Sequence, residues 1–432
     1  MVSQHPIRPI LFLAASIAAA SFSSSSYALS LSEAEQLALT DDPQVAYFTS
    51  QAASRYQQSI ADAQLDDPRL NVGLFNIALD NPTSFTQEPN TQFRVGISQS
   101  FPRGDSRLYL QQRGEHLAKA NERQADLTKA QILQTVRLAF FDKLEQQRAL
   151  QLIADSRVFF EQLIVLTEAY YGSGRVSRQD VVQARLELSR LDDRILHIKN
   201  QQARYSALLQ PWVGWQRAQE PLQYDISTRH EKVDFFQLSK TLEQHESMQI
   251  IDEQMAAAQS NVDIALEQYK PSWTIGTEYR QRSGSRTDQA AITVSMDLPW
   301  FTEKRQDKRL SSSRFQYQSV QWQRNDQLRQ LHSGLKRAFE DYRYLNDRVA
   351  LFENTLIPES KDNSAAALSA YQNGVNEFST LIRARITELD VALQQLSLQI
   401  EQAKAYAQLQ YYQADQRDSV LNEVQLTGEH HE

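Results

Sequence analysis

Apolar residues fall along this chain in two rhythms. Across 377–415 they recur at 378, 382, 386, 389, 393, 396, 400, 403 and 407, spacings that alternate between four and three. A helix packed along a neighbour in a coiled coil shows such a seam. Residues 177–210 carry a second one, through Val181, Ala184, Leu188, Leu191, Ile195 and Ile198. The other rhythm has period two. Phe93, Val95 and Ile97 alternate with Arg94, Gly96 and Ser98, and Ile292, Val294, Met296 and Leu298 alternate with Thr293, Ser295 and Asp297. Successive strand side chains point to opposite faces, so these segments read as strands with one apolar and one polar face. Four strands are predicted, at 69–79, 92–101, 272–281 and 290–298.

Prolines and glycines divide the chain between these patterns. No Pro occurs between Pro102 and Pro211, and no Gly between Gly114 and Gly172. A helix over 103–170 follows, roughly 100 Å long at ~1.5 Å per residue. Gly172 and Gly174 end it with the positive φ that reverses a chain, and Ser177 with Asp180 resembles a capping box opening the return helix 177–210. The plan then repeats. "YGSGRVSRQDVVQAR" (171–185) reappears as "YQNGVNEFSTLIRAR" (371–385), and "VGISQSFP" (95–102) as "ITVSMDLP" (292–299). A second long helix is predicted over 302–370, with a kink or break at Pro358, then a tip at 371–377 and a return helix over 377–415. The chain is thus a tandem duplication. Residues 29–215 and 241–415 each read helix, strand, strand, very long helix, glycine tip (171–177 in the first), return helix. Residues 216–240 link them and 416–432 form a tail.

Composition narrows the function. With 432 residues, a formal charge of -8 and no cysteine, the chain has no cationic excess for nucleic acid and no thiolate chemistry. Its start, "MVSQHPIR" followed by the apolar run 10–20 and a Ser-rich stretch, reads as an export signal over 1–28. Ser26 and Ala28 are the small residues preceding the cleavage point, and no cysteine follows to carry a lipid anchor. Four strands of about ten residues have bilayer-crossing length, but an open sheet cannot sit in lipid with two unpaired edges. Closure needs several protomers: two give a barrel filled by its own side chains, and three are the smallest number leaving an aqueous lumen.

The duplicated plan, the strand-ending "FP" and "LP" before each long helix, the tips, and "GRVSRQDVVQARLELSRL…ALLQPWVGW" (174–215) together resemble the TolC-type outer-membrane efflux factors. The resemblance covers 29–432. It implies a mainly α fold with a membrane β-barrel contribution: a homotrimer with a twelve-stranded barrel in the outer membrane of a Gram-negative bacterium and a helical tunnel across the periplasm. Such factors are passive exit ducts of tripartite efflux or type I-like export systems, working with an inner-membrane transporter and a periplasmic adaptor, and need no cofactor. Residues around Pro211, Trp212 and Trp215 would lie in an equatorial belt where helices are interrupted. The adaptor would dock at the tips, formed by Gly174, Arg175, Val176, Ser177, Arg178 and Asp180 and by Gly374, Val375, Asn376 and Glu377.

Some relatives close the periplasmic entrance with carboxylates just before the second tip. This chain departs from that pattern, having no acid between Asp362 and Tyr371. Asp362 and Glu359 are the nearest candidate gate residues, beside a reading as solvated helix charges. Heavy-metal pumps are served by one branch of the family, and the short chain suits it. His430 and His431 in the "GEHHE" tail are of metal-binding type, but without a second ligand cluster they read as a chain end, and no metal site is assigned. No catalytic or nucleotide-binding motif appears, so the chain reads as a non-enzyme. The competing reading is a soluble periplasmic coiled-coil scaffold or adaptor; outer-membrane lipid as a partner separates the two.

Overall fold

A computed structural model describes residues 28–226 and 233–413. The proposed signal segment, apart from Ala28, and the His430/His431 tail lie outside them, as does 227–232 of the linking segment. In chain order the elements are β1 (Leu29–Ser30), α1 (Leu31–Leu39), α2 (Pro43–Asp62), β2 (Arg69–Phe75), β3 (Gln92–Phe101), α3 (Ser106–Gly172) and α4 (Arg178–Val213). There follow α5 (Trp215–Gln219), β4 (Leu222–Gln223), α6 (Phe235–Thr241), α7 (Glu246–Glu267), β5 (Ser272–Arg282), β6 (Gln289–Asp297), α8 (Gln306–Leu351), α9 (Ile357–Gln372) and α10 (Phe378–Tyr411). The fold is mainly helical.

Local chemistry sets many of these boundaries. The Ser30 hydroxyl accepts from the Glu33 amide at 3.2 Å, and the Asp42 carboxylate from Gln44 and Val45, so α1 and α2 begin where their free N–H groups find partners. Strand β2 stops at Phe75 rather than 79. Asn76 adopts φ 56° and its side-chain amide donates to the Asn90 carbonyl at 3.0 Å, turning the chain out of the ladder. Helix α4 runs past Pro211 to Val213, giving up the one bond that an amide at 211 would have made to the Ala207 carbonyl; Gly214, at φ 82°, ends it. At Pro358 the second long helix neither breaks nor ends. A π-helical turn, Phe352–Leu356, precedes it and places Pro358 in the first turn of α9. The wider turn relieves the clash of the proline ring with the carbonyl of Asn354, four residues back.

The helical seams of α4 and α10 both pack against α3. On α10, Phe378, Ile382, Leu389, Leu396, Ile400, Ala403 and Ala407 are buried, and on α4 so are Val181, Ala184, Leu191 and Ile198. They pack with the distal part of α3, including Phe140, Ile153 and Phe160, in one core that reaches the tips. A second core joins α6, α7 and α8 to the end of α10 through Leu242, Met248, Leu335 and Leu409.

The other end of the molecule is a four-stranded antiparallel sheet, ordered β2-β3-β5-β6, in which β3 and β5 join the two halves. Directly opposed residues share a face. The register therefore gathers Leu70, Val72, Phe93, Ile97, Trp273, Ile275, Tyr279, Ile292, Val294 and Met296 on one side. Along β5 exposure alternates at every residue, with the apolar side the more exposed, so the polar side is the inner one.

Gly104 joins sheet to helix. It adopts φ 47°, and the Asp105 amide beyond it donates to the Glu267 carboxylate at 2.8 Å. Lys270 pairs with the same carboxylate at 2.7 Å, and Arg103 donates to the Gln268 carbonyl at 2.7 Å.

Candidate functional site

The two tips end their helices by the same mechanism. The Gly174 amide donates to the Tyr171 carbonyl and the Arg175 amide to the Tyr170 carbonyl, each at 2.9 Å. At the second tip Gly374 donates to Tyr371 at 3.0 Å and Val375 to Ala370 at 2.9 Å. This is the Schellman pairing, which needs a left-handed residue after the helix; Gly174 and Gly374, at φ 73° and 72°, supply it. The return helices start differently. Ser177 and Asp180 form a reciprocal capping box, each side chain accepting from the other residue's amide, at 3.3 and 2.9 Å. Glu377 caps α10 with no side-chain bond to its amides.

Both tips line one open cleft of about 820 Å³. Gly174, Arg175, Val176, Ser177 and Asp180 form one wall, and Gly374, Asn376 and Glu377 the other. Arg178 is exposed beside it, and Val375 projects outward, 77% exposed. Beneath lies an aromatic cluster that sequence reasoning did not find: the Tyr170 and Tyr371 rings are 6.1 Å apart, and Tyr371 lies 5.7 Å from Phe378. Burial pushes the Tyr371 phenol up from its ordinary value. Tyr171, its counterpart in the repeat, is half exposed. Identical letters in the two tips thus hide unequal environments. Glu359 and Asp362 are exposed on α9 and do not join the cleft; Asp362 is about 18 Å along the helix from Gly374.

Midway along α3 the chain is clasped. Leu29–Ser30 pairs in parallel with Leu222–Gln223. Lys143, 1% exposed, donates to the carbonyls of Ala218 at 2.8 Å and Glu220 at 2.6 Å. Gln147 mimics a strand, accepting from the Leu222 amide at 2.8 Å and donating to its carbonyl at 3.0 Å. A buried pair, Arg137 to Glu35 at 2.6 Å, fixes α1 on the same stretch. No local pattern marks Lys143, because its partners lie some 75 residues away along the chain. Desolvation lowers its ammonium from 10.5 to about 8, against the opposing pull of Glu220. The unfolded chain then binds more protons than the native one between those values, so stability rises with pH across that window. The difference amounts to about 3 kcal/mol, absent below pH 8, where both states are charged. Urea midpoints of the detergent-solubilised protein at pH 8 and 10 check this: Lys143→Met is expected to lose that part of the rise.

Among the described residues no group of three or more His, Asp or Glu could hold a metal ion. No helix among them is long and apolar enough to cross a membrane. The two-faced sheet is a different kind of candidate, a wall with an apolar outside and a polar inside.

No protein-family profile and no curated protein matches the sequence. Solved structures do match the fold. A membrane protein from Pseudomonas aeruginosa superposes with TM-score 0.76 at 13% identity, over 88% of this chain and 92% of that one. The outer membrane protein VceC of Vibrio cholerae gives 0.72 at 18% identity, over 88% and 95%. The CmeC outer membrane channel of Campylobacter jejuni gives 0.73 at 13% identity, over 92% and 88%. The chain therefore has the fold of outer-membrane channels of the TolC type, along nearly the whole of both chains.

Proposed function

We propose that this protein is the outer-membrane exit duct of a tripartite export system. The observation that carries this reading is the open four-stranded sheet, apolar outside and polar inside, set at the end of helices about 100 Å long. Such a sheet has two unpaired edges and an exposed apolar face. Neither is stable in water, and the edges are not stable in lipid until they are closed. Two copies give eight strands, a barrel whose own side chains fill it and leave no passage. Three copies give twelve strands and a lumen. At ~3.3 Å per residue and a tilt of about 40°, the eleven-residue β5 rises about 28 Å, the height of the hydrocarbon layer. Trp300 and Phe301, 76% and 90% exposed just below the sheet, suit the interfacial aromatic girdle.

In this reading residues 1–28 direct export and the helices of three chains form a periplasmic tunnel. The tip cleft receives a helical hairpin of an adaptor, which links the duct to an inner-membrane transporter. That transporter supplies the energy and chooses the cargo, a drug or a heavy metal, so no catalytic residue is required here. A soluble coiled-coil scaffold would leave the apolar face of the sheet in water with nothing to cover it. Light scattering and negative-stain electron microscopy of the detergent-extracted protein test the reading. A three-chain cylinder well over ~100 Å long is expected. A monomer or dimer that stays in solution without detergent rejects it.

A further inference from the structure

We infer that the barrel lumen prefers anions, and that Arg94 and Arg280 set the preference. The inference rests on the duct reading and names the class of solute the barrel favours. All six charged residues of the four sheet strands lie on the inner face: Arg69, Arg94, Arg280 and Arg282 against Glu278 and Asp297. The excess is cationic in a chain whose formal charge is -8, so it is local to this surface and not a consequence of overall composition.

The two carboxylates are already engaged. Asp297 accepts from the Ser272 hydroxyl at 2.8 Å and lies 3.9 Å from the Arg103 guanidinium at the base of the sheet. Glu278 serves two guanidiniums, with Arg94 at 3.6 Å and Arg280 hydrogen-bonded to the same oxygen. Arg94 and Arg280 are direct cross-strand partners. Like charges in that position repel one another, and a single carboxylate offsets only one of them. The Arg94 guanidinium also lies over the Phe75 ring, 3.9 Å from its centre, which holds it at the wall. The result is a fixed, net positive triad at one height. Closing three protomers into a barrel makes it a ring.

A ring of anchored cations in a water-filled passage with low-dielectric walls raises the local concentration of anions and lowers that of cations. Arg69 and Arg282, at the two ends of the sheet, extend the same sign along the passage. Chloride, carboxylates and phosphates therefore cross more readily than cations of equal size.

The experiment is the zero-current potential of the full-length protein in planar bilayers under a KCl gradient. The native protein is expected to pass chloride in preference to potassium. R94Q/R280Q should bring the permeability ratio down towards one, whereas E278Q, which frees both guanidiniums, should raise it. Opposite shifts from neighbouring substitutions are a signature that general damage to the barrel does not give. Potassium preference in the native protein, or a ratio that fails to move in opposite directions, overturns the inference and leaves the duct standing. No conducting pore at all from assembled trimers overturns the duct and the inference with it.

Discussion

Replacing Gly174 by Val is expected to reduce efflux to the level of cells lacking the protein, while the trimer persists. Space is not the obstacle, since nothing lies within 4 Å of a Cβ built there. The obstacle is the backbone. At φ 73° an L side chain costs about 1–2 kcal/mol, more for a β-branched one. The tip meets that cost by abandoning the Schellman bonds from Gly174 and Arg175 to Tyr171 and Tyr170. Arg175 to Ser177 then leave the cleft they line together with Asn376 and Glu377. Most of the core shared by α3, α4 and α10 lies beyond the tip and keeps its own contacts, so global stability changes little. Gly374→Val, at the equivalent φ of 72°, should act in the same way. Retention of a fluorescent pump substrate, measured beside the trimer band from the same membranes, decides the matter. Full efflux with an intact trimer removes the tips from the docking surface.

Substitution of Gly104 should act on assembly instead. A Cβ there would fall 1.7 Å from the Glu267 carboxylate and 2.5 Å from the Lys270 chain, and φ is 47°. Strain and steric exclusion therefore combine. Moving Glu267 aside strips the Asp105 amide of its partner and breaks the pair with Lys270. An unsatisfied polar group costs about 1–3 kcal/mol and left-handed strain about 1–2 more, so a loss of about 2–5 kcal/mol is expected. This joint sets the angle between sheet and helices. Gly104→Ala should thus already lower the yield of heat-stable trimer in outer-membrane fractions, and Gly104→Val should abolish it. Normal trimer from Gly104→Val would mean that the joint can shift without affecting barrel closure.

Much of the architecture is legible in the sequence because its signals are local. A period of 3.5 residues marks a packed helix and a period of two a two-faced strand. The strand is illustrated by Phe93 to Ser98, whose apolar and polar residues do part to opposite faces in the structure. Gly174, Gly374 and the Ser177–Asp180 box act within a few residues of themselves. The prolines were harder to read. Pro358 and Pro211 both look like breaks, but a π turn absorbs one and the final helical turn the other. Their effect depends on where neighbouring turns end, and composition does not record that.

The candidate site was legible only in part. The sequence by itself determined the duplicated helices and strands, the faces of those strands and the two glycine tips, because each follows from backbone sterics and side-chain alternation over a few residues. Tertiary structure alone decided what each element meets. It set β3 beside β5, so that Arg94 and Arg280 share Glu278. It brought the two tips to one cleft and buried Tyr371 while leaving Tyr171 exposed. It also closed the belt with Lys143 and Gln147. These contacts join residues tens to hundreds of positions apart, and their partners become specific only once long helices and a shared sheet have fixed the distances between them.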